Sequence, residues 1–180
     1  MTDLSRQAPF GSRVEQLGYL VDDLDAAMAH WTGTLGAGPF FVLPERRFVE
    51  LAHGGVACDE QMIAGVAMGQ LGPVQIELIV PGGGPSTYHR FLGAGGRGLH
   101  HLGYIADDYV AARQEAVDGG LRIATEGRSQ ATRFCYIENE AALAEPCFEL
   151  IEACDVINDV FAMVARAHAE WDGSEPVRYL

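Results

Sequence analysis

Two segments of this 180-residue chain repeat each other: VEQLGYLVDDLDAA at 14–27 and LHHLGYIADDYVAA at 99–112. With a constant offset, Leu17, Gly18, Tyr19, Asp22, Asp23, Ala26 and Ala27 meet Leu102, Gly103, Tyr104, Asp107, Asp108, Ala111 and Ala112. Seven identities in fourteen ungapped positions indicate a duplicated unit. A second echo closes each unit, where Glu77-Leu78-Ile79 returns as Glu149-Leu150-Ile151. The chain therefore has to fold as two similar modules, and whatever chemistry it carries should involve matched positions in both.

The element order within the two units is the same. An apolar strand (about 14–21, then 99–106) runs into Asp-Asp, an N-cap signal. Helices follow at about 23–34 and 108–118, ending at Gly36 and at Gly119-Gly120. Three short apolar segments then read as strands in each half: GPFFVL, QMIAGVAMGQ and VQIELIV, then RIATEG, RFCYIE and CFELIEA. The pattern predicts an α+β fold of two modules, each strand, helix and three strands (14–80 and 99–153). An N-terminal arm (1–13), a linker (81–98) with a short helix at Ser86 to Leu92, and a C-terminal helix and tail (154–180) complete the plan. The linker glycines lack the Gly-Lys-Ser/Thr of a phosphate loop. Ile157, Val160, Phe161 and Val164 fall at helical spacing, so the last helix should cover a sheet edge or pack across a dimer.

Strand alternation and the offset together select candidate site residues. Gln16 matches His101, and alternation would set His100 on the opposite face. Glu77 lies between Ile76 and Leu78, and Glu149 between Phe148 and Leu150. A carboxylate on a covered strand face is costly unless paired or bound to a cation. If the modules pack about a pseudo-twofold axis, Gln16, Glu77, His101 and Glu149 can converge. One imidazole nitrogen, one amide oxygen and two carboxylates suit a single divalent ion such as Zn, Ni, Co or Mn. The alternative at this point is that the glutamates pair with arginines such as Arg90 or Arg133.

Composition removes several function classes. A net charge of −13 argues against nucleic acid and anionic membranes as partners. No apolar run is long enough to span a bilayer, and MTDLSRQAPFGSR has no apolar signal-peptide core, which predicts a cytoplasmic protein. Cys58, Cys135, Cys147 and Cys154 form no C-x-x-C pair and read as reduced thiols.

These motifs, with LGAGPFFV, VQIELIVPGGGPSTYHRFL and GLHHLGYIADD, resemble the vicinal oxygen chelate superfamily over about 14–153. That superfamily includes glyoxalase I, methylmalonyl-CoA epimerase, extradiol dioxygenases and bleomycin-resistance proteins. The resemblance implies paired βαβββ modules forming a curved, barrel-like mixed sheet around a metal cavity, with metal ligands at Gln16, Glu77, His101 and Glu149. Such a set looks like that of some glyoxalase I enzymes and fits poorly with the two-His, one-carboxylate iron site of extradiol dioxygenases. It further implies proton transfer of the isomerase, epimerase or glyoxalase-lyase type on a small oxygenated or thioester substrate, through a chelated enediolate-like intermediate. Glu149 would act as general base and acid, with Glu77 as its second. DEQMIAGVAMGQLGPVQIELIVP also looks like the epimerases, but the glutamate they carry after the Glu-Gln pair is replaced near Gly65, against that particular substrate. Arg46, Arg47, Arg90 and Arg133 are candidate anchors for a substrate carboxylate or phosphate, and Tyr88 and His89 are candidate lining residues at the module junction. The expected assembly is a homodimer acting on a small molecule. A competing implication is a metal-free module that sequesters a ligand, as in the bleomycin-resistance branch.

Overall fold

The computed structural model describes residues 13–44, 47–138 and 140–180. The predicted arm at 1–13, apart from Arg13, and Arg46 lie outside the described residues. The first unit runs β1 (Gln16–Leu20), α1 (Leu24–His30), β2 (Phe40–Val42), β3 (Glu50–His53), β4 (Val56–Ala57), β5 (Ile63–Leu71) and β6 (Val74–Pro81). After α2 (Thr87–Gly93), the second unit runs β7 (Leu99–Ala106), α3 (Tyr109–Asp118), β8 (Arg122–Arg128), β9 (Arg133–Glu138) and β10 (Cys147–Glu152). The chain ends with α4 (Asp155–Ala169) and β11 (Val177–Tyr179).

Both Asp-Asp pairs cap helices as their sequence implies. Asp23 accepts a hydrogen bond from the Ala26 amide at 2.9 Å and Asp108 from Ala111 at 3.0 Å, each stabilising its helix by about 1 kcal/mol. α1 continues into a π-helical turn at Trp31–Leu35 and stops at Gly36, whose φ of 70° is readily adopted only without a side chain.

All eleven strands form one curved, unclosed sheet in the order β11-β2-β5-β6-β1-β7-β10-β9-β8-β3-β4. Each unit contributes a matching block, β2-β5-β6-β1 and β7-β10-β9-β8. The blocks join within the chain through antiparallel β1 and β7, while β1 to β6 and β7 to β10 are parallel. The β3–β4 hairpin, unmarked by any apolar alternation, leaves the first unit and adds to β8 of the second. Helices cover the outer faces: Met28 of α1 packs in one cluster with Phe40, Ile76 and Leu78, and Tyr109 and Ala116 of α3 in another with Ile137 and Leu150. At roughly 1.5–3 kcal/mol for each large side chain buried, these cores hold the sheet against its helices. The inner face holds a separate cluster of Met62, Ile79, Tyr88, Phe91, Phe134 and Tyr136 around the site.

α4 crosses from one block to the other. It leaves β10 in the second block and packs Val160, Met163, Val164 and Ala167 against Phe41, Met68 and Leu43 of the first. β11 then pairs with β2. The helix is thus a strap across the concave side, anchored in both blocks. No helix among the described residues is long and apolar enough to cross a membrane.

Candidate metal centre

Two rows of paired residues build the site where the blocks meet. In the first, Gly18 of β1 is registered with Glu77 of β6 on one side and with His101 of β7 on the other. In the second, Gly103 of β7 is registered with Glu149 of β10 and with Gln16 of β1. Each row is a carboxylate, a glycine and a nitrogen-bearing side chain, and the pseudo-twofold axis exchanges the two. The central glycine explains itself: a Cβ on Gly18 would lie 1.8 Å from His101 Cε1, and one on Gly103 would lie 2.9 Å from Gln16 Cβ. Each glycine lets the neighbouring long side chain lean across it toward the carboxylate beyond. The shared L-G-Y motif therefore serves the site as well as the strand.

The four side chains converge as their matched positions imply. His101 Nε2 lies 3.2 Å from Glu149 Oε2, 3.5 Å from Glu77 Oε2 and 3.4 Å from Gln16 Oε1. All four are buried, and ligating atoms of Glu77, His101 and Glu149 lie within 4.8 Å of one another. Burial works against a charge on His101, but Glu149 first and Glu77 with it outweigh that and raise its pKa to about 9. The donor set fits a divalent cation: two buried carboxylates and one imidazolium leave a net negative charge, whereas a divalent ion with neutral imidazole balances the pair. In the metal-free protein the sign of the linkage is fixed by the raised pKa. The contribution of the His101 pair to stability is full below the unfolded histidine value of about 6.5 and is lost as pH rises through about 9. Urea midpoints of chelator-treated protein should therefore fall over that window, and His101→Gln should flatten the fall.

Neighbouring groups orient the donors. The Gln16 amide nitrogen donates to Gln75 Oε1 at 2.7 Å, which turns the Gln16 oxygen toward His101. Gln75 Nε2 is buried without a partner. Gln75→Leu should free the amide to rotate and weaken metal binding roughly 10–100-fold, measured by competitive chelation. His100 departs from simple alternation. The register steps from Gly18↔His101 to Tyr19↔Leu99, so a bulge at His100 brings both histidine rings against Tyr136, at 5.5 and 5.2 Å. His100 Nδ1 lies 3.2 Å from His101 Nδ1, and its Nε2 lies 3.5 Å from Thr87 Oγ1, which in turn donates to Glu138. Burial and the nearby His101 hold the His100 pKa well below its ordinary value, so it is a neutral partner that fixes the His101 ring.

The remaining candidates divide by location. Tyr88 lines the cavity next to the cluster, its hydroxyl 2.9 Å from that of Tyr136. Burial first, then the carboxylates, push both phenols well above their ordinary pKa, leaving them protonated donors. His89 is exposed and bonds Ser86, and Arg90 lies 3.5 Å from the buried Glu138 carboxylate. Arg133 binds Glu152 and stacks over Tyr109 at 5.0 Å, on the α3 side of the sheet. The glutamates of the site thus meet His101, and these arginines pair with other carboxylates. Sequence reasoning missed Gly18, Gly103, Gln75, Tyr136 and the α4 residues Ile157 and Phe161, which also line the cavity. The repeated glycines were the one visible signal.

Comparison with known proteins agrees with this geometry. The family model described as the Glyoxalase/Bleomycin resistance protein/Dioxygenase superfamily matches residues 15–136. No curated protein matches. Among solved structures, a hypothetical protein from Bacillus halodurans C-125 superposes with a TM-score of 0.56 at 16% identity, over 79% of this chain and 95% of that one. Methylmalonyl-CoA epimerase from Mycobacterium tuberculosis gives 0.55 at 23%, over 81% and 90%. The Streptomyces coelicolor epimerase in complex with 2-nitronate-propionyl-CoA gives 0.55 at 20%, over 81% and 96%. At such identities these structures speak for the fold, while the family match spans most of the chain: this protein belongs to the glyoxalase/bleomycin resistance protein/dioxygenase superfamily.

Proposed function

We propose that the chain is a divalent-metal-dependent enzyme that moves a proton at carbon, as an isomerase, epimerase or glyoxalase-type lyase. The observation that carries this reading is the convergence of two buried carboxylates on one imidazole and one amide oxygen, at the end of a largely apolar cavity. Gln16, Glu77, His101 and Glu149 would hold the metal. When bound there, a divalent ion supplies Lewis-acid polarisation of a substrate carbonyl.

The protein groups do the rest. Glu149 takes the proton from the carbon beside the carbonyl, and the electron pair left behind is drawn toward the carbonyl oxygen. Glu149 returns the proton to the same carbon or its neighbour, giving isomerisation; return by Glu77 on the other face gives epimerisation. In the Tyr88–Tyr136 hydroxyl pair one phenol donates to the other, leaving one O–H to donate to a substrate oxygen. Apolar walls from Phe48, Ile63 and Phe134 exclude water that would otherwise compete for the proton. The methylmalonyl-CoA epimerases that share the fold support proton transfer as the reaction class. A ligand-sequestering module has no use for two carboxylates buried beside a cavity, which counts against that reading.

The test is isotope exchange. Metal-loaded protein in D2O should wash deuterium into the carbon-bound position of small 2-hydroxycarbonyl and 2-oxo compounds, followed by proton NMR. Stripping with a chelator should stop the exchange and restoring the metal should bring it back. Exchange at the same rate in stripped protein would sink the proposal.

A further inference from the structure

We infer that α4 makes Ile157 and Phe161 specificity-determining residues, restricting the site to compact substrates without an anionic tail. The inference rests on the metal-site reading above and extends it to the substrate. α4 lies outside the segment matched by the family model.

Three observations carry it. First, the cavity lined by Gln16, Glu77 and Glu149 offers only about 50 Å3, against roughly 300–1,000 Å3 for sites that take large organic ligands. Ile157 and Phe161 of α4 line it together with Phe48 and Phe134. Second, the strap is held at both ends. At its start, Thr132 Oγ1 donates to the Glu152 carbonyl at 2.8 Å. At its end, His168 Nδ1 lies 2.6 Å from the Gly38 carbonyl, and β11 extends the sheet beside β2. Between these ties Val164 is fully buried against Phe41 and Met68. The ceiling is therefore set by side chains on a fixed helix. Third, the polar lining other than the cluster and the two phenols is limited to Ser129 and Thr132, and no cationic side chain lines the cavity among the described residues. A carboxylate or phosphate tail would be desolvated there without a partner. The substrate class that fits is a small hydroxy- or oxo-carbonyl compound: two neighbouring oxygens at the cluster and a short apolar remainder beneath Phe161.

Cobalt-loaded protein can be titrated with acetohydroxamate and with benzohydroxamate, which offer the same pair of neighbouring oxygens on small and large bodies. The visible spectrum of the bound cobalt reads binding. Wild type should prefer acetohydroxamate by about tenfold or more, because extra volume in a narrow cavity beneath α4 is opposed by packing. Phe161→Ala and Ile157→Ala should each reduce or reverse that preference. Phe161→Trp should sharpen it, which guards against reading a loosened fold as an enlarged pocket. Equal affinities in wild type, or a ratio unmoved by all three substitutions, would overturn the inference while leaving the metal site standing. Failure to take up cobalt at all would overturn both.

Discussion

Gly18→Ala should abolish metal uptake. The added Cβ would fall 1.8 Å from Cε1, 2.2 Å from Nε2 and 2.4 Å from Nδ1 of His101, so the ring cannot keep its place. Relief by a small shift is blocked, because His101 is fully buried between Tyr136, His100 and the two carboxylates. Displacing it removes the one nitrogen donor and leaves two carboxylates facing each other without their imidazolium. Stability should drop by a few kcal/mol, the range for an overpacked core combined with a lost buried pair, about 1–3 kcal/mol from each. Gly103→Ala meets Gln16 Cβ at 2.9 Å and should be milder, weakening metal binding while keeping it. Gly69→Ala is the control: its Cβ would strike the Phe40 ring at 2.6 Å in the outer core, so it should destabilise while leaving metal stoichiometry intact. Metal content and urea midpoints measured on all three separate steric damage at the site from damage elsewhere.

Glu149→Gln should cost about 10²–10⁴-fold in proton exchange, the range for removing a positioned general base. The amide retains an oxygen that can face the metal, so a reduced occupancy can be corrected by measuring bound metal in the same sample. The amide cannot accept a proton from carbon at neutral pH. Glu77→Gln distinguishes the two carboxylates. If Glu77 returns the proton on the far face, this variant keeps deuterium wash-in on a racemisable substrate but loses inversion, read by chiral chromatography beside NMR. Full exchange in Glu149→Gln at equal metal content would remove Glu149 from the role.

The duplicated motif made the repeated element order and the convergence of four side chains legible in the sequence. Gln16 and His101 come from matched strands, Glu77 and Glu149 from matched closing strands, and their convergence follows once the two units share a pseudo-twofold axis. Helix caps at Asp23 and Asp108 were equally local and equally readable. Long-range pairing hid the rest. The β3–β4 hairpin carries a Gly54-Gly55 turn with φ of 57° and 80°, but its strands are too short to show alternation, and its pairing with β8 of the other unit leaves no local trace. His100 illustrates the same limit: alternation assigns it to the opposite face, whereas the bulge that turns both rings toward Tyr136 is a property of the register between β1 and β7. The glycines of L-G-Y were plain in the sequence. Their purpose required knowing that Gly18 faces His101 and Gly103 faces Gln16. α4 showed its amphipathic spacing, but where it would lie depends on contacts with β2 and β5 that no local pattern encodes.

We propose that Gln16, Glu77, His101 and Glu149 hold one divalent metal. Metal analysis of protein purified after growth with supplemented zinc, nickel, cobalt and manganese tests it directly. The account predicts about one equivalent of one of these metals per chain, lost on His101→Ala, as expected for a site whose ligands are gathered by folding. Less than about 0.1 equivalent of any transition metal in wild type, well short of a stoichiometric site, would contradict it.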